Sequence, residues 1–440
     1  MKNLISTKTS LIALLIALLF STSAKASEDL APEIFKISGS GYGHGVGMSQ
    51  IGARGQAIEG KSAVEILNYY YPGTTVSPYP DNELIRVNLA NLTTSVIIKA
   101  VGAVGTITLF RGDLAAGEDS DPLGTYQGDL TASFTNLANS VIPSLSSPTA
   151  KFAPVSPNKA WTLRWDSATT TIALTNQGET KQYKYGQIVI KSVSNAVSSY
   201  LAVTNTLRLH DEYLWGIGEV PSSWPPAALE AQAIAARTYA LTKLSRVRTE
   251  CDCQIYSTTV DQNFAGYSKE IERIYGIKWK EAVNRTFVDA NLVLVITFES
   301  KPINAFYSSS SGGSTQDVRD VWGSSIAYLQ GVPDPWSLDM KINPRYAIWE
   351  RQVTQKDMAT AFGLDNVKSF RVDSRSKTES ALSVTAFSST GKSSTLKGEI
   401  FRARTKLPST WIKDPINIEV PKVTITCENR RYPMREFCLQ

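Results

Sequence analysis

The sequence predicts an α+β protein: a core of helices and β-strands with an all-β module inserted early in the chain. Three observations carry this. Short β-branched runs fill the stretch from Leu84 to about Ile190, an alanine-rich helical stretch covers Ala227–Leu244, and short strands return after Trp349. The chain has 440 residues, of which 42% are hydrophobic and 19% charged, a globular balance with room for about two or three domains.

The elements follow in order. Lys2 and Lys8 precede an apolar run from Leu11 to Phe20, and small residues end in Ala24-Lys25-Ala26. That order is a secretory signal peptide over residues 1–26. Its apolar run is about ten residues, against roughly 20 for a bilayer span. The mature chain is therefore expected to be exported, to a periplasm or to the cell wall and outside medium, with no transmembrane segment. Residues 27–80 form a first segment: a strand at Ile34–Ile37, glycine turns at Gly39–Gly47, and a helix from about Met48 to Tyr70 stopped by Tyr71-Pro72-Gly73. Residues 81–205 are the β-rich module, with strands at Leu84–Leu89, Val96–Lys99, Thr106–Phe110, Trp161–Trp165, Thr169–Leu174 and Gln187–Lys191, and an exposed Ser/Pro-rich loop at Asn139–Lys159. Residues 206–415 form the main core. Pro225-Pro226 starts the alanine-rich helix, a second helix spans Tyr275–Val288, and strands lie at Leu292–Phe298, Phe370–Val372, Leu382–Phe387 and Ile400–Arg402. Residues 416–440 are a tail containing Cys427 and Cys438.

Composition excludes several functions. The net charge is +5, and Lys2, Lys8 and Lys25 of the signal segment supply three of those charges. Without a long basic run, the mature chain is not expected to bind nucleic acid. Two histidines exclude a site built mainly of imidazoles. Four cysteines in an exported chain permit disulfides. Cys427 and Cys438 can close a small loop, whereas the one-residue gap between Cys251 and Cys253 makes a direct bridge strained. Cross-pairing, free thiols and a metal site stay open.

Four stretches can carry chemistry. In Gly41–Gln50, glycines alternate as far as Gly47 without the G-x-G-x-x-G spacing of a dinucleotide site; His44, Ser49 and Gln50 beside them suit a ligand-facing loop, or a tight structural turn. In Tyr213–Pro225, Glu219 stands among Gly218, Val220 and Pro221, with Trp215 and Trp224 nearby. Apolar surroundings raise a carboxyl's pKa, as a general acid requires, and indoles suit sugar faces; the alternative is a loop glutamate paired with an arginine. On the alanine-rich helix, Gln232 and Arg237 stand among small residues, with Arg237 either paired in the interior or aimed into a cleft. In Asn304–Thr315, Tyr307, Ser308, Ser309 and Ser310 make a hydroxyl-rich run. There is no G-x-S-x-G elbow, so a ledge for a polar polymer is more economical than a serine nucleophile.

Together these stretches resemble the SpoIID/LytB domain family, that of the sporulation stage II protein D. The matching pieces are Tyr213–Pro225, Ala231-Gln232-Ala233-Ile234-Ala235-Ala236-Arg237-Thr238-Tyr239-Ala240, Phe306–Thr315, Val321-Trp322-Gly323, Gly331-Val332-Pro333-Asp334-Pro335, Gly41–Ala53 and Tyr69–Gly73. The resemblance implies a SpoIID-like core and a peptidoglycan lytic transglycosylase. It places the catalytic acid on Glu219 and substrate-binding residues on Arg237, Gln232, Tyr307, Ser308, Ser309, Ser310, His44, Ser49, Gln50 and Trp224. In the family the His-Gly-Val-Gly-Met-Ser-Gln segment comes last. Here it comes first, so the motif order looks circularly permuted. Some relatives bind zinc through cysteine and histidine, but only Cys251–Tyr256 is similar here, with no histidine beside it. No metal and no cofactor is expected.

The implied reaction cleaves the bond between N-acetylmuramic acid and N-acetylglucosamine in glycan strands stripped of peptide, leaving a 1,6-anhydro end. Two rivals stand beside it: a hydrolysing muramidase, and a non-catalytic wall-binding protein that enhances a partner amidase.

Overall fold

The alanine-rich stretch forms the helix Pro226–Leu241, with proline at its start and small residues on every side. Small side chains let two cores close on it. Leu229, Ala233 and Ala236 belong to one core, and Ala231, Ile234 and Ala235 to the other. The computed structural model describes residues 31–102, 106–147 and 151–414. The expected signal peptide and the Cys427 and Cys438 tail lie outside them.

The first core joins this helix to two sheets. A seven-stranded sheet runs Ile255–Tyr256, Leu84–Thr93, Ser199–Arg208, Gln187–Ser194, Ala160–Trp165, Thr106–Arg111, Pro122–Gln127. A five-stranded sheet runs Glu179–Tyr183, Thr171–Asn176, Ser95–Val101, Thr131–Leu137, Ser140–Ser146. Eight consecutive residues of Ser199–Arg208, from Tyr200 to Leu207, are buried, which marks a strand covered on both faces. One apolar cluster runs through both sheets and the helices Pro226–Leu241 and Gly276–Asn284. The β-rich part therefore shares its core with the helical part.

The chain's start is woven into its later part. Ile34–Gly39 pairs antiparallel with Trp349–Thr354, Met48–Ser49 pairs parallel with Tyr307–Ser308, and Thr75–Pro80 pairs antiparallel with Leu292–Phe298. The Lys413 amide donates to the Ser38 carbonyl, so the two ends of the described chain run side by side. A third core gathers Phe35 and Ile37 with the sheet Ser369–Arg375, Ala381–Phe387, Ser393–Lys397. No helix among the described residues is long and apolar enough to cross a membrane.

Several sequence expectations need correction. The helix expected over Met48–Tyr70 is two, Gln50–Ile58 and Ala63–Tyr70. Gly60, at φ +87°, turns the chain between them, and Ser62 with Glu65 makes a capping box that starts the second. The expected strand Ile400–Arg402 lies inside the helix Gly398–Thr405. The expected loop Asn139–Lys159 contains the strand Ser140–Ser146, where Val141 and Pro143 alternate inward. Cys251 and Cys253 are bonded to each other. Asp252, at φ +51°, folds the chain so that the two Cα atoms lie 5.1 Å apart, within reach of a bridge.

Candidate active site

Glu219 leaves the first core on the segment between Ile217 and the Pro226–Leu241 helix, and is partly buried. Its Oε1 accepts the Asn263 amide at 2.6 Å and the Tyr307 hydroxyl at 3.3 Å. The Gln50 side chain lies close enough to favour the charged carboxyl as well. Burial raises its proton affinity above the ordinary glutamate value, and these neutral neighbours pull the other way. Neither a cation nor a second carboxylate is among the causes of that shift. The arginine pairing left open from sequence is not what forms here.

The Gly41–Gln50 loop brings Gln50 to this point. Gly41, Gly43, Gly45 and Gly47 all have positive φ. At Gly47 the reason is plain, since a Cβ would stand 1.9 Å from the Phe306 carbonyl oxygen. Ser49 caps the helix Gln50–Ile58 by accepting the Gly52 amide, so it is buried structure. Gln50 Nε2 donates to Gln232 Oε1 at 3.2 Å, linking the loop to the central helix. His44 Nδ1 accepts the Val46 amide, and its ring packs on Trp322 and Phe306. Burial pushes its pKa down to about 4, so it is neutral at neutral pH.

The remaining expected residues divide. Trp224 is partly exposed, with the Arg54 guanidinium 5.6 Å from its ring centre. Ser308 and Ser310 are buried, and Ser310 Oγ accepts from Asn343 Nδ2. Ser309 is partly exposed, while its carbonyl accepts the Ile51 amide. The serine run is thus mainly turned inward, bracing the Gly41–Gln50 loop. Arg237 is fully buried, and its partners do not include Glu219. Its Nε lies 3.0 Å from Asp81 Oδ2, NH1 donates to Thr286 Oγ1, and NH2 donates to the His210 carbonyl. Burial pushes the guanidinium pKa down to about 10 against the pull of Asp81, so it stays charged.

Sequence reading missed Gln262, Asn263, Asp81 and Asp334. Gln262 is fully buried between Tyr307 and Tyr213. Asp334 is fully buried and takes hydrogen bonds from Tyr70 and Ser311, tying the helix Ala63–Tyr70 to the serine loop. Asp334 stands in a motif quoted for the resemblance, but no local pattern marks Gln262 or Asp81, whose partners lie tens to hundreds of residues away.

Comparison with known proteins points to one family for part of the chain. Residues 198–290 match the family model SpoIID, Stage II sporulation protein. The chain is 31% identical over 163 residues to the amidase enhancer of Bacillus subtilis (strain 168), covering 34% of this chain and 21% of that protein. It is 33% identical over 144 residues to stage II sporulation protein D of Bacillus amyloliquefaciens, covering 31% of this chain and 40% of that one. The Bacillus subtilis (strain 168) counterpart is 30% identical over 143 residues. The chain thus spans between about a fifth and two fifths of these relatives' lengths. No solved structure matches the chain significantly. Residues 198–290, which hold Glu219, Gln232, Arg237 and Gln262, are thus similar to the SpoIID family.

Proposed function

We propose that the protein is an exported peptidoglycan lytic transglycosylase with Glu219 as its acid and base. The carrying observation is a partly buried carboxyl held by two neutral donors, the Asn263 amide and the Tyr307 hydroxyl, and in no ion pair among the described residues. Hydrolysing glycosidases work with two carboxylates, one for the sugar and one for water or the leaving group. A single carboxylate suffices where the attacking hydroxyl is already part of the substrate.

Oε1 already accepts two donors, which leaves Oε2 to carry the transferable proton. Oε2–H protonates the oxygen between N-acetylmuramic acid and N-acetylglucosamine, and the bond to the muramic acid C1 breaks. The carboxylate then takes the proton from that sugar's 6-hydroxyl as O6 bonds to C1. Glu219 ends protonated, as it began, and no water is consumed. Gln50, held by Gln232, and Tyr307 steady the carboxylate between the two transfers; Trp224 offers a face to a sugar ring. Arg237 serves by holding the helix that carries Gln232. The side-by-side ends of the described chain support a circularly permuted motif order, since joining them would restore the usual one.

A second reading has one observation behind it. Ile271, Ile274 and Ile277 are exposed beside Lys269, which donates to the Val220 carbonyl next to Glu219. With the likeness to an amidase enhancer, this suits a wall-bound protein that acts through a partner amidase. Digesting peptide-stripped glycan in oxygen-18 water separates the readings. Lytic cleavage gives anhydro ends without the label, a hydrolase gives labelled reducing ends, and a pure enhancer gives no fragments.

A further inference from the structure

We propose that Gln262 is a positioning residue that fixes the direction of the hydrogen bond between Tyr307 and Glu219, so that the single Tyr307 proton is committed to the carboxylate. The inference rests on the reading of Glu219 as the reacting group, but its geometry stands apart from that reading.

The argument is one of donors and acceptors. The Ala236 carbonyl can only accept, and Gln262 Nε2 lies 3.2 Å from it. Turning the amide over would set two oxygens against each other there, so its orientation is determined. Gln262 Oε1, which can only accept, then takes the Tyr213 hydroxyl proton at 2.6 Å. The second Nε2 hydrogen points at the Tyr307 oxygen, 2.7 Å away. Tyr307 is thereby made an acceptor towards Gln262, and its own proton has Glu219 Oε1, at 3.3 Å, as the remaining acceptor. Gln262 is fully buried, so no exposed water competes for these bonds. Of its neighbours, the Asn263 amide donates to the same Oε1, while Asp261 is held by Arg248 and Tyr239.

A donor held on the carboxylate favours its ionised form, opposing the burial that favours the neutral form. The other titratable groups facing Glu219 are Tyr213 and Tyr239, with Lys269 engaged at the Val220 carbonyl and Asp261 in its pair with Arg248. Both tyrosines have pKa values pushed up by burial and stay neutral, so neither replaces the Tyr307 proton.

The test is a carbon-13 NMR titration of the Glu219 carboxyl in the full chain and in Y307F, Q262E and Y307F/Q262E. Y307F raises the midpoint by about one pH unit, since one hydrogen bond to the charged form is lost. In Q262E the new carboxylate accepts from both tyrosines and turns the Tyr307 proton away. The Glu219 midpoint then rises more with Tyr307 present than with phenylalanine there, the difference amounting to at least about threefold in proton affinity. Equal rises in the two backgrounds, or no rise in Y307F, overturn the proposal. Neutron diffraction of the unmodified protein decides the same point without a variant: a deuteron on Tyr307 facing Glu219 supports it, and one facing Gln262 overturns it. If E219Q kept its glycan-cleaving activity, the functional reading would fail while these measurements still decided the role of Gln262.

Discussion

Two charged residues that the sequence singles out, Arg237 and Glu219, are handled in opposite ways around one helix. Arg237, on the helix, is fully buried and meets Asp81, which also bonds the His210 ring. Glu219, on the segment before the same helix, stays partly exposed and is held by the neutral Asn263 amide and Tyr307 hydroxyl. A buried charge beside a fixed opposite charge holds its protonation state and serves the fold. A carboxyl held by neutral donors is free to give up its proton and take it back. Charged residues can thus read alike in sequence while one is locked into the structure and the other is left free to exchange a proton.

The comparison can be broken at several points, beginning with the largest effect. E219Q should cut the yield of anhydro ends by about 10²–10⁴-fold with a urea unfolding midpoint no lower than the parent's. The opposite pattern belongs to R237M, which strands a buried Asp81 and should cost about 3–5 kcal/mol in urea unfolding. The double variant R237M/D81N should recover part of that loss, which a double-mutant cycle measures. At the loop carrying Gln50, G47A forces a Cβ against the Phe306 carbonyl at a φ of +74°. A loss of about 1–3 kcal/mol in thermal unfolding is expected, with weaker cleavage as Tyr307 moves. Far from the site, S62A removes a helix cap at a cost of about 1 kcal/mol without changing cleavage.

The smallest effect is a pH signature. Glu219 binds its proton more tightly folded than unfolded, so its ionisation opposes folding. That penalty is absent below the unfolded glutamate pKa of about 4.3 and complete once pH exceeds the raised folded value. E219Q should therefore be more stable than the parent at pH 8, with the difference fading towards pH 4, as paired thermal melts would show. His44 acts in the other direction. Its folded pKa of about 4 means that stability falls as pH drops from about 6.5 towards 4. H44Q should flatten that decline.

Much of this was legible in the residues. Leu292–Phe298 is apolar except for Thr297 and forms a strand over just those residues. The alternating glycines at 41–47 suited a loop or tight turn, and all four have positive φ. Glu219 among glycine, proline and tryptophan pointed to a desolvated carboxyl before any coordinate. Other features were hidden by chain separation or local ambiguity. Ile400–Arg402 is too short a run to tell strand from helix, and its helix has no side-chain cap to announce it. The Ser/Pro composition of 139–159 concealed a strand whose core face needs only Val141 and Pro143. Arg237 could be seen as a buried charge, but its partner Asp81 lies in a turn more than a hundred residues earlier. Gln262 carries no local mark, since its meaning comes from tyrosines at 213 and 307.

The most direct test is the mass of the fragments released from peptide-stripped glycan by equal amounts of folded wild-type protein and E219Q. The account predicts anhydro-muramic ends from the wild type and at least about a hundredfold fewer from the variant. Anhydro ends at comparable yield from E219Q, or none from a folded wild type that still binds the glycan, would contradict it.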